Sequence, residues 1–295
     1  MGKVLDRLFV LMQYVLPQHT LSRLVHRAAR IRMVWFKDLL IRGFVRAFRV
    51  DMGDADQPDP TAHEHFNAFF TRALRPDARP MPSSLETIAS PVDGAVSASG
   101  VCRQGQLIQA KDRRYFLADL LGDMEMTREI EGGAFVTLYL APYNYHRIHM
   151  PIDGRLTRML YHPGRLFSVN AATVRSVPRL FSRNERVVCR FETPAGTMAM
   201  VLVGALNVGS IETVWAGEVA PASPRRPATT NYSEPLILPR GQEMGRFNMG
   251  STVILVFAPG RAQLADDLSP GLTVRVGGTL GRILTAGDQA SSEAT

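Results

Sequence analysis

The chain has 295 residues, of which 45% are hydrophobic and 21% are charged, as in ordinary globular proteins. This composition excludes an intrinsically disordered chain, a collagen-like repeat and a small disulfide-bonded scaffold. The net charge of +7 is concentrated near the start. Ten lysines and arginines against two acids give residues 1–50 a charge of +8 and leave residues 51–295 at −1. An anionic partner is therefore expected to meet residues 1–50.

Residues 1–50 predict two or three amphipathic helices, with Pro17 separating the first from the next. Charged residues recur at helical spacing along two largely basic stripes, formed by Arg23, Arg27 and Arg30 and by Asp38, Arg42, Arg46 and Arg49. No run of 18 apolar residues occurs, so no segment is predicted to span a bilayer. Two interpretations stay open: a helical cap with a solvated basic face, or an interfacial membrane anchor whose arginines meet lipid headgroups. No nucleic-acid recognition motif accompanies the charge, and nucleic acid is not an expected partner.

The rest of the chain predicts a β-rich domain. Residues 51–61 are polar and proline-containing, which is typical of a linker, and a short helix is expected over 62–74. Short apolar segments bounded by turns then predict strands at 134–140, 187–192, 197–206 and 252–257, a hairpin turn at 193–196, and short helices at 117–121 and 171–177. The predicted class is α+β: an N-terminal amphipathic helical segment, a β-rich catalytic domain over 62–286, and a disordered tail over 287–295.

Common catalytic and cofactor motifs are absent. The chain has no G-x-G-x-x-G, P-loop, H-E-x-x-H or G-x-S-x-G sequence, and its two cysteines form no C-x-x-C pair. The first remaining feature is His146-Arg147-Ile148-His149. Two histidines three apart share a face in a helical turn but point to opposite faces in a strand. Pro151 favours the extended form for Met150, and one structural plus one exposed histidine is the simpler interpretation.

The other two features are turn-like. Ser90-Pro91-Val92-Asp93-Gly94 predicts a tight turn, although an aspartate held there could also orient a histidine. Gly250-Ser251-Thr252 predicts a turn before a buried strand. It also allows the Ser251 hydroxyl to attack the carbonyl of Gly250, because glycine leaves that carbonyl uncrowded. A serine needs a base and an orienting group for that attack, and His149 and Asp93 are the candidates.

Seven segments, in this order, resemble the bacterial phosphatidylserine decarboxylases of the short, pyruvoyl-dependent type, over roughly residues 60–285. They are FFTRALR (69–75), SPVDG (90–94), LAPYNYHRIHMP (140–151), LFSVN (166–170), LFSRNERV (180–187), NVGSI (207–211) and EMGRFNMGSTVI (243–254). Where the family often has leucine before Gly-Ser-Thr, this chain has Met249, an apolar residue of similar volume.

The resemblance implies how the chain matures and works. Asp93, His149 and Ser251 would form a self-cleaving triad that cuts between Gly250 and Ser251. The resulting β chain (1–250) and α chain (251–295) would stay associated, and Ser251 would become a covalent pyruvoyl group, the only cofactor expected. Phosphatidylserine would form a Schiff base with that ketone through its amine, lose CO₂, and be released as phosphatidylethanolamine. His146 would act as an acid or as a substrate contact. No metal site is implied.

The resemblance also favours the membrane interpretation of residues 1–50, since the substrate is an anionic lipid. It implies a peripheral protein on the cytoplasmic face of the cell membrane and a homodimer of processed protomers. Three alternatives remain: a decarboxylase for a related serine phospholipid or a soluble amino acid, a non-catalytic β-rich binding module, and a zinc hydrolase built on His146, His149 and His162.

Overall fold

The computed structural model describes residues 2–110, 113–206, 210–220, 226–248 and 251–285, with side chains from Leu8 onward. Its helices are α1 (Gly2–Val15), α2 (Gln18–Ala28), α3 (Val34–Phe48), α4 (Phe66–Phe70), α5 (Leu117–Leu121), α6 (Met124–Ile130), α7 (Ala171–Ser176) and α8 (Leu180–Arg183), with a 3₁₀ turn at Pro60–Ala62. Its strands are β1 (Thr87–Ala89), β2 (Gly94–Val101), β3 (Gln106–Ala110), β4 (Arg113–Phe116), β5 (Ala134–Leu140), β6 (Arg147–His149), β7 (Gly154–His162), β8 (Arg186–Thr193), β9 (Gly196–Val203), β10 (Ile211–Thr213), β11 (Gly217–Ala220), β12 (Ala228–Leu238), β13 (Glu243–Phe247), β14 (Ser251–Phe257), β15 (Ala262–Leu264), β16 (Thr273–Val274) and β17 (Thr279–Ile283). The predicted α+β class, β-rich with N-terminal helices, is confirmed.

An antiparallel sheet forms the centre, in the order β12-β7-β8-β9-β14-β5-β2-β16. Successive side chains of a strand point to opposite faces, and both faces are buried here. Val253 and Leu255 of β14 join the apolar cluster on one face, while Ile254 and Val256 join the cluster on the other. Burial on both faces explains the unbroken apolar run of this strand and confirms its prediction.

Each face of the central sheet is covered by a different layer. Two smaller sheets cover one face: β1-β17-β15 contributes Leu280 to its cluster, and β11-β10-β13-β6 contributes Ile148 and Phe247. The β3–β4 hairpin and helices α5 to α8 cover the other face, with Tyr115, Leu120 and Phe181 buried there. The architecture therefore has three layers: the two smaller sheets, the central sheet, and the helices with the β3–β4 hairpin. The start of β2, the end of β5 and the start of β14 lie together at one end of the central sheet.

The N-terminal helices dock on the helical layer and on each other. Gln13 of α1 accepts a hydrogen bond from the main chain of Ser168 at 2.7 Å, and Gln18 of α2 accepts one from Leu166 at 2.8 Å. Helix α3 packs on α4 in a separate apolar cluster that includes Phe66. None of the helices in the described part of the chain is long and apolar enough to cross a bilayer.

Several predicted elements are found where the sequence pattern placed them, including β5, α5 and the β8–β9 hairpin. The helix expected over 62–74 is wrong in length, because only α4 forms. The His65 ring accepts a hydrogen bond from the main chain of Ala68 at 3.0 Å and caps its start. The chain after α4 then becomes extended and bonds back to residues 54–56, so the predicted linker lies against it. The predicted tail, 287–295, lies outside the described residues.

Candidate functional site

Asp93 lies at the entrance to β2 and is held by a buried ion pair. Nε of Arg79 donates to both of its carboxylate oxygens, at 3.0 and 3.2 Å, and Nη2 of Arg79 adds a further contact. The main chain of Val276 also donates to Asp93, at 2.8 Å. Arg79 additionally donates to Asp54 at 2.8 Å. The hydrogen bonds with Asp93 raise the pKa of Arg79, so the guanidinium remains charged. Arg79 was not predicted, since nothing local in the sequence marks a residue fourteen positions away as the partner of Asp93.

His149 ends β6, beside the loop that carries Asp93, and its main-chain N–H donates to Pro91 at 2.8 Å. Its ring is held at both nitrogens: Nδ1 lies 2.8 Å from the carbonyl oxygen of Gly241, and Nε2 lies 3.0 Å from the hydroxyl of Tyr145. Because a carbonyl can only accept, Nδ1 carries the proton and Nε2 accepts from Tyr145. Desolvation lowers the pKa of His149, so the ring is neutral at pH 7.

Asp93 and His149 are close enough to interact electrostatically, but their side chains are not joined by a hydrogen bond in this arrangement. Asp93 is bonded to Arg79 and Val276, and the His149 ring to Gly241 and Tyr145. The charge of Asp93 acts to raise the pKa of His149, against the larger effect of desolvation. Gly241 and Tyr145 are functional neighbours that the sequence did not point out, although Tyr145 lies within the same motif.

His146 is fully buried. Its Nδ1 lies 2.8 Å from the carbonyl oxygen of Asn144, and its Nε2 has no hydrogen-bond partner among the described residues. The ring centroid lies 4.1 Å from that of Phe70 in α4. Desolvation, with a smaller contribution from the charge of Arg72, lowers the pKa of His146 to about 3, although the hydrogen bond with Asn144 acts in the opposite direction. His146 is therefore a neutral imidazole with an available lone pair.

The two histidines do not share a helical face. His149 belongs to an extended strand and His146 directly precedes it, so the helical interpretation of the H-x-x-H spacing is wrong. Arg72 lies near His146 and is 5% exposed. It donates to the carbonyl of Tyr143 at 3.3 Å, while its Nε has no partner among the described residues. A buried arginine beside a neutral histidine is a further feature that sequence analysis did not identify.

Ser251 is the first residue of β14 and pairs with Leu140 of β5. Its side chain is completely buried, and its hydroxyl has no hydrogen-bond partner among the described residues. By strand alternation it lies on the same face as Val253, the face covered by the sheet that contains β6. A buried hydroxyl left unpaired is costly, and such groups are often functional. Met249 and Gly250 lie outside the described residues.

The segment just before this serine is anchored by Asn248, which sequence analysis did not identify. Its side-chain oxygen accepts from Nδ2 of Asn67 in α4 at 2.9 Å, and its side-chain nitrogen donates to the hydroxyl of Ser210. Its main-chain N–H donates to the carbonyl of Ser210 at 3.0 Å. Asn248 is 2% exposed, so these contacts fix the chain three residues before Ser251.

A metal site is not formed in the described part of the chain, where no group of three or more His, Cys, Asp or Glu residues could hold an ion. His162, at the end of β7, bonds the carbonyl of Leu121 at 2.8 Å. The ligand set of the zinc hydrolase alternative is therefore not assembled among these residues.

Comparison with known proteins gives consistent matches. A family model described as "Phosphatidylserine decarboxylase" matches residues 66–282, and one described as "PSD" matches residues 8–49. The phosphatidylserine decarboxylase proenzyme of Stutzerimonas stutzeri (strain A1501) is 53% identical over 296 residues, covering 98% of both chains. The proenzyme of Alkalilimnicola ehrlichii is 51% identical over 278 residues, covering 92% of this chain and 96% of its own. That of Methylococcus capsulatus is 51% identical over 277 residues, covering 93% and 96%.

Proposed function

This chain belongs to the phosphatidylserine decarboxylase family, a family of carboxy-lyases, and we propose that it converts phosphatidylserine to phosphatidylethanolamine with a pyruvoyl group made from Ser251. The observation that carries the proposal is the buried hydroxyl of Ser251 at the start of β14, which has no hydrogen-bond partner among the described residues. A serine that becomes a ketone must first act as a nucleophile, and a hydroxyl without competing hydrogen bonds fits that role. Ser251 also lies on the face of the central sheet that is covered by the sheet containing β6, the strand that ends at His149.

In the proposed maturation, the Ser251 hydroxyl attacks the carbonyl of Gly250 and passes its proton to Nε2 of His149. The bond between Gly250 and the Ser251 nitrogen then breaks, leaving an ester. Elimination of the Gly250 carboxylate gives dehydroalanine, and water replaces its nitrogen, so the products are a ketone and ammonia. His149 suits the base because burial keeps it neutral and Gly241 fixes its tautomer.

Asp93 completes the proposed triad through its charge. A carboxylate near the imidazole stabilises the imidazolium that forms when His149 takes the proton. Arg79 holds that carboxylate in place, while Gly241 performs the orienting role that the sequence assigned to Asp93. Tyr145 donates to Nε2 of His149, so this hydrogen bond must yield before His149 accepts the serine proton.

The pyruvoyl group supplies a ketone that condenses with the substrate amine and accepts the electrons released with CO₂. His146 is positioned by Asn144 and remains neutral, because its pKa lies at about 3. It is therefore a poor source of an imidazolium proton at pH 7. We assign it the alternative role, a substrate contact in which its Nε2, which has no partner in the described part of the chain, accepts a hydrogen bond from an N–H group.

The cleaved chains are proposed to stay associated through β14. Residues 252–257 pair with β9 on one side, and residues 251–256 pair with β5 on the other. Cleavage before Ser251 would leave β14 in the middle of the central sheet, with its hydrogen bonds intact. A homodimer of processed protomers remains a further proposal, and light scattering of the purified enzyme tests it.

We also propose peripheral attachment to the cytoplasmic face of an anionic membrane through α1 to α3. Thirteen of the twenty exposed large apolar side chains of the described residues lie between Leu8 and Phe48, among them Leu11 and Trp35 at 63% and 66% exposure. Some of the basic side chains form ion pairs within the protein: Arg30 pairs with Glu218 at 3.0 Å, and Lys37 pairs with Asp38 at 2.8 Å. The remaining exposed arginines would each add about 1 kcal/mol at an anionic surface.

Vesicle flotation tests this attachment. Leu11→Asp should reduce binding to vesicles of phosphatidylserine and phosphatidylcholine several-fold. Leu85→Asp, at a site 75% exposed outside the three helices, should not. Equal loss in both variants would reject the helices as the membrane surface.

The activity is tested with phosphatidylserine labelled in the serine carboxyl group. The purified chain should release labelled CO₂ and phosphatidylethanolamine in equal amounts, and Ser251→Ala should release neither. CO₂ released from free serine but not from the phospholipid would favour the soluble amino acid alternative. If no substrate yields CO₂ although the chain is folded and cleaved, the proposed activity is wrong and the binding-module alternative gains support.

A further inference from the structure

A cavity whose lining does not include Ser251 lies on the helical side of the central sheet. Its volume is about 650 Å³, and its lining is mainly apolar, with Ala95, Ala98, Ile108, Val169 and Val174 among the contributing residues. This volume falls within the range of about 300–1,000 Å³ that is usual for ligand pockets. None of the maturation steps proposed above uses it.

The cavity adjoins the end of the sheet at which Ser251 lies. Ala95 pairs with Tyr139, and Tyr139 pairs with Thr252, the residue that follows Ser251. Tyr139 is also part of the cavity wall. The cavity and the Ser251 side chain lie on opposite faces of the central sheet, so a molecule that passes around this end of the sheet could place one part in the cavity and another at the start of β14.

The wall of the cavity packs in the same apolar cluster as the N-terminal helix. Val169 and Val174 belong to the apolar cluster that Val10 of α1 also joins. Gln13 of α1 lies 3.5 Å from the hydroxyl of Thr173 in α7, the helix that borders the cavity. The outer side of α1 is apolar and open, with Leu11 at 63% and Val15 at 82% exposure. The proposed membrane surface and the cavity are thus joined through α1 and α7.

The wall also contains Ser97, Tyr139 and Arg175, but two of its polar side chains, those of Gln109 and Ser99, are already hydrogen-bonded within the protein. The amide nitrogen of Gln109 donates to the carbonyls of Val174 and Val177, at 2.8 and 2.7 Å, and its oxygen accepts from Leu180 at 2.8 Å. The hydroxyl of Ser99 donates to Leu268 at 2.6 Å. A hydrocarbon needs no hydrogen-bond partner, and its burial is favourable by about 25 cal/mol per Å².

We propose that this cavity binds one acyl chain of the phospholipid substrate, which enters from the membrane along α1 and α7 while the headgroup reaches the start of β14. The inference rests on the proposed function for the identity of the ligand, but its binding can be measured without the reaction. The Ser251→Ala chain serves that purpose, because it cannot form the pyruvoyl group.

Photo-crosslinking tests the site directly. The probe is phosphatidylserine with a diazirine in the middle of one acyl chain, added in vesicles to the Ser251→Ala protein, and labelled residues are mapped by peptide mass spectrometry. Label is expected on the cavity wall, at Ala98, Val169 or Val174. Ala171→Trp places a large ring at the exposed rim and should reduce this label at least tenfold. Ala172→Trp, one residue further on the same helix and outside the lining, is the matched control and should retain it.

Chain-length kinetics provides a second measurement. In the processed enzyme, Ala171→Trp should lower kcat/KM about tenfold for dioleoyl phosphatidylserine while leaving a dihexanoyl substrate within twofold. Label confined to the outer side of α1, or equal label in both tryptophan variants, would overturn the cavity assignment even if decarboxylation is normal. Wall labelling without any CO₂ release would instead support the cavity and reject the proposed activity.

Discussion

Removing Arg79 tests whether the buried ion pair with Asp93 supports the site. The two side chains are only 12% and 9% exposed, and Arg79 contacts both carboxylate oxygens. Arg79→Ala leaves the Asp93 charge without its main partner in a poorly solvated position. Breaking a buried pair in this way typically costs about 3–5 kcal/mol of unfolding free energy. At about 3 kcal/mol per M of urea, the unfolding midpoint should fall by about 1–2 M.

The assay is urea unfolding in the Ser251→Ala background, so that self-cleavage does not change the chain during the measurement. Arg155→Ala is the control. It breaks the pair with Glu192, whose members are 42% and 47% exposed, and should cost about 0–1 kcal/mol. Equal losses in the two variants would refute the reasoning that burial of the Arg79 pair makes it important.

Three further predictions concern the neighbourhood of the site. Asn248→Ala removes the hydrogen bonds that anchor the segment before Ser251. If their loss raises the activation free energy of self-cleavage by about 1–3 kcal/mol, cleavage should be about 5- to 150-fold slower in a gel time course. An unchanged rate would contradict that role. His146 has a folded-state pKa of about 3, below its ordinary value of 6.5, so the unfolded chain binds the proton more tightly. Acid should therefore weaken folding below about pH 6.5, by up to about 1.4 kcal/mol per pH unit, and His146→Gln should reduce this slope in unfolding curves; identical slopes would contradict the assignment. Gly94→Ala would place a Cβ 2.4 Å from the carbonyl oxygen of Tyr139 and should destabilise the protein by about 1–3 kcal/mol. In the control Gly43→Ala, the added Cβ has no atom within 4 Å and should stabilise helix α3 by about 0.5–1 kcal/mol. If thermal unfolding shows no difference between the two variants, the close approach of β2 and β5 is wrong.

Local patterns in the sequence were sufficient to predict a strand buried on both faces and a hairpin turn. The apolar run from Val253 to Phe257 indicated a strand buried on both faces, and the two core clusters account for it. The turn at 193–196 likewise joins two strands in direct register. These features depend on residues that are near one another in the chain, so period and turn chemistry predict them.

Contacts between segments that are distant in the sequence could not be predicted from local patterns. Arg79 has no local signal that assigns it to Asp93, and the carbonyl of Gly241 is a main-chain group that no motif marks. The basic stripe of Arg23, Arg27 and Arg30 predicted a solvated or lipid-facing Arg30, yet this residue follows the end of α2 and bonds Glu218 on β11. Side-chain spacing gives the face of a helix but not the partner that the tertiary fold brings to it.

The family assignment came from motifs in a fixed order and is confirmed by the family model and by relatives about 50% identical. The roles of Asp93, His149 and Ser251 remain proposals. The arrangement departs from a simple triad, because Gly241 and Tyr145 take the hydrogen bonds of the His149 ring. Tyr145→Phe would remove the hydroxyl that bonds Nε2 of His149 while keeping the aromatic ring of residue 145.

The intact mass of the purified protein under denaturing conditions tests the central claim most directly, with Ser251→Ala measured beside it. The account predicts two chains, residues 1–250 and 251–295, with the shorter one lighter by one ammonia than the same chain beginning with serine. The variant should remain a single chain of 295 residues. A cut elsewhere, a shorter chain that still begins with serine, or cleavage of Ser251→Ala at the same bond would contradict a pyruvoyl group made from Ser251.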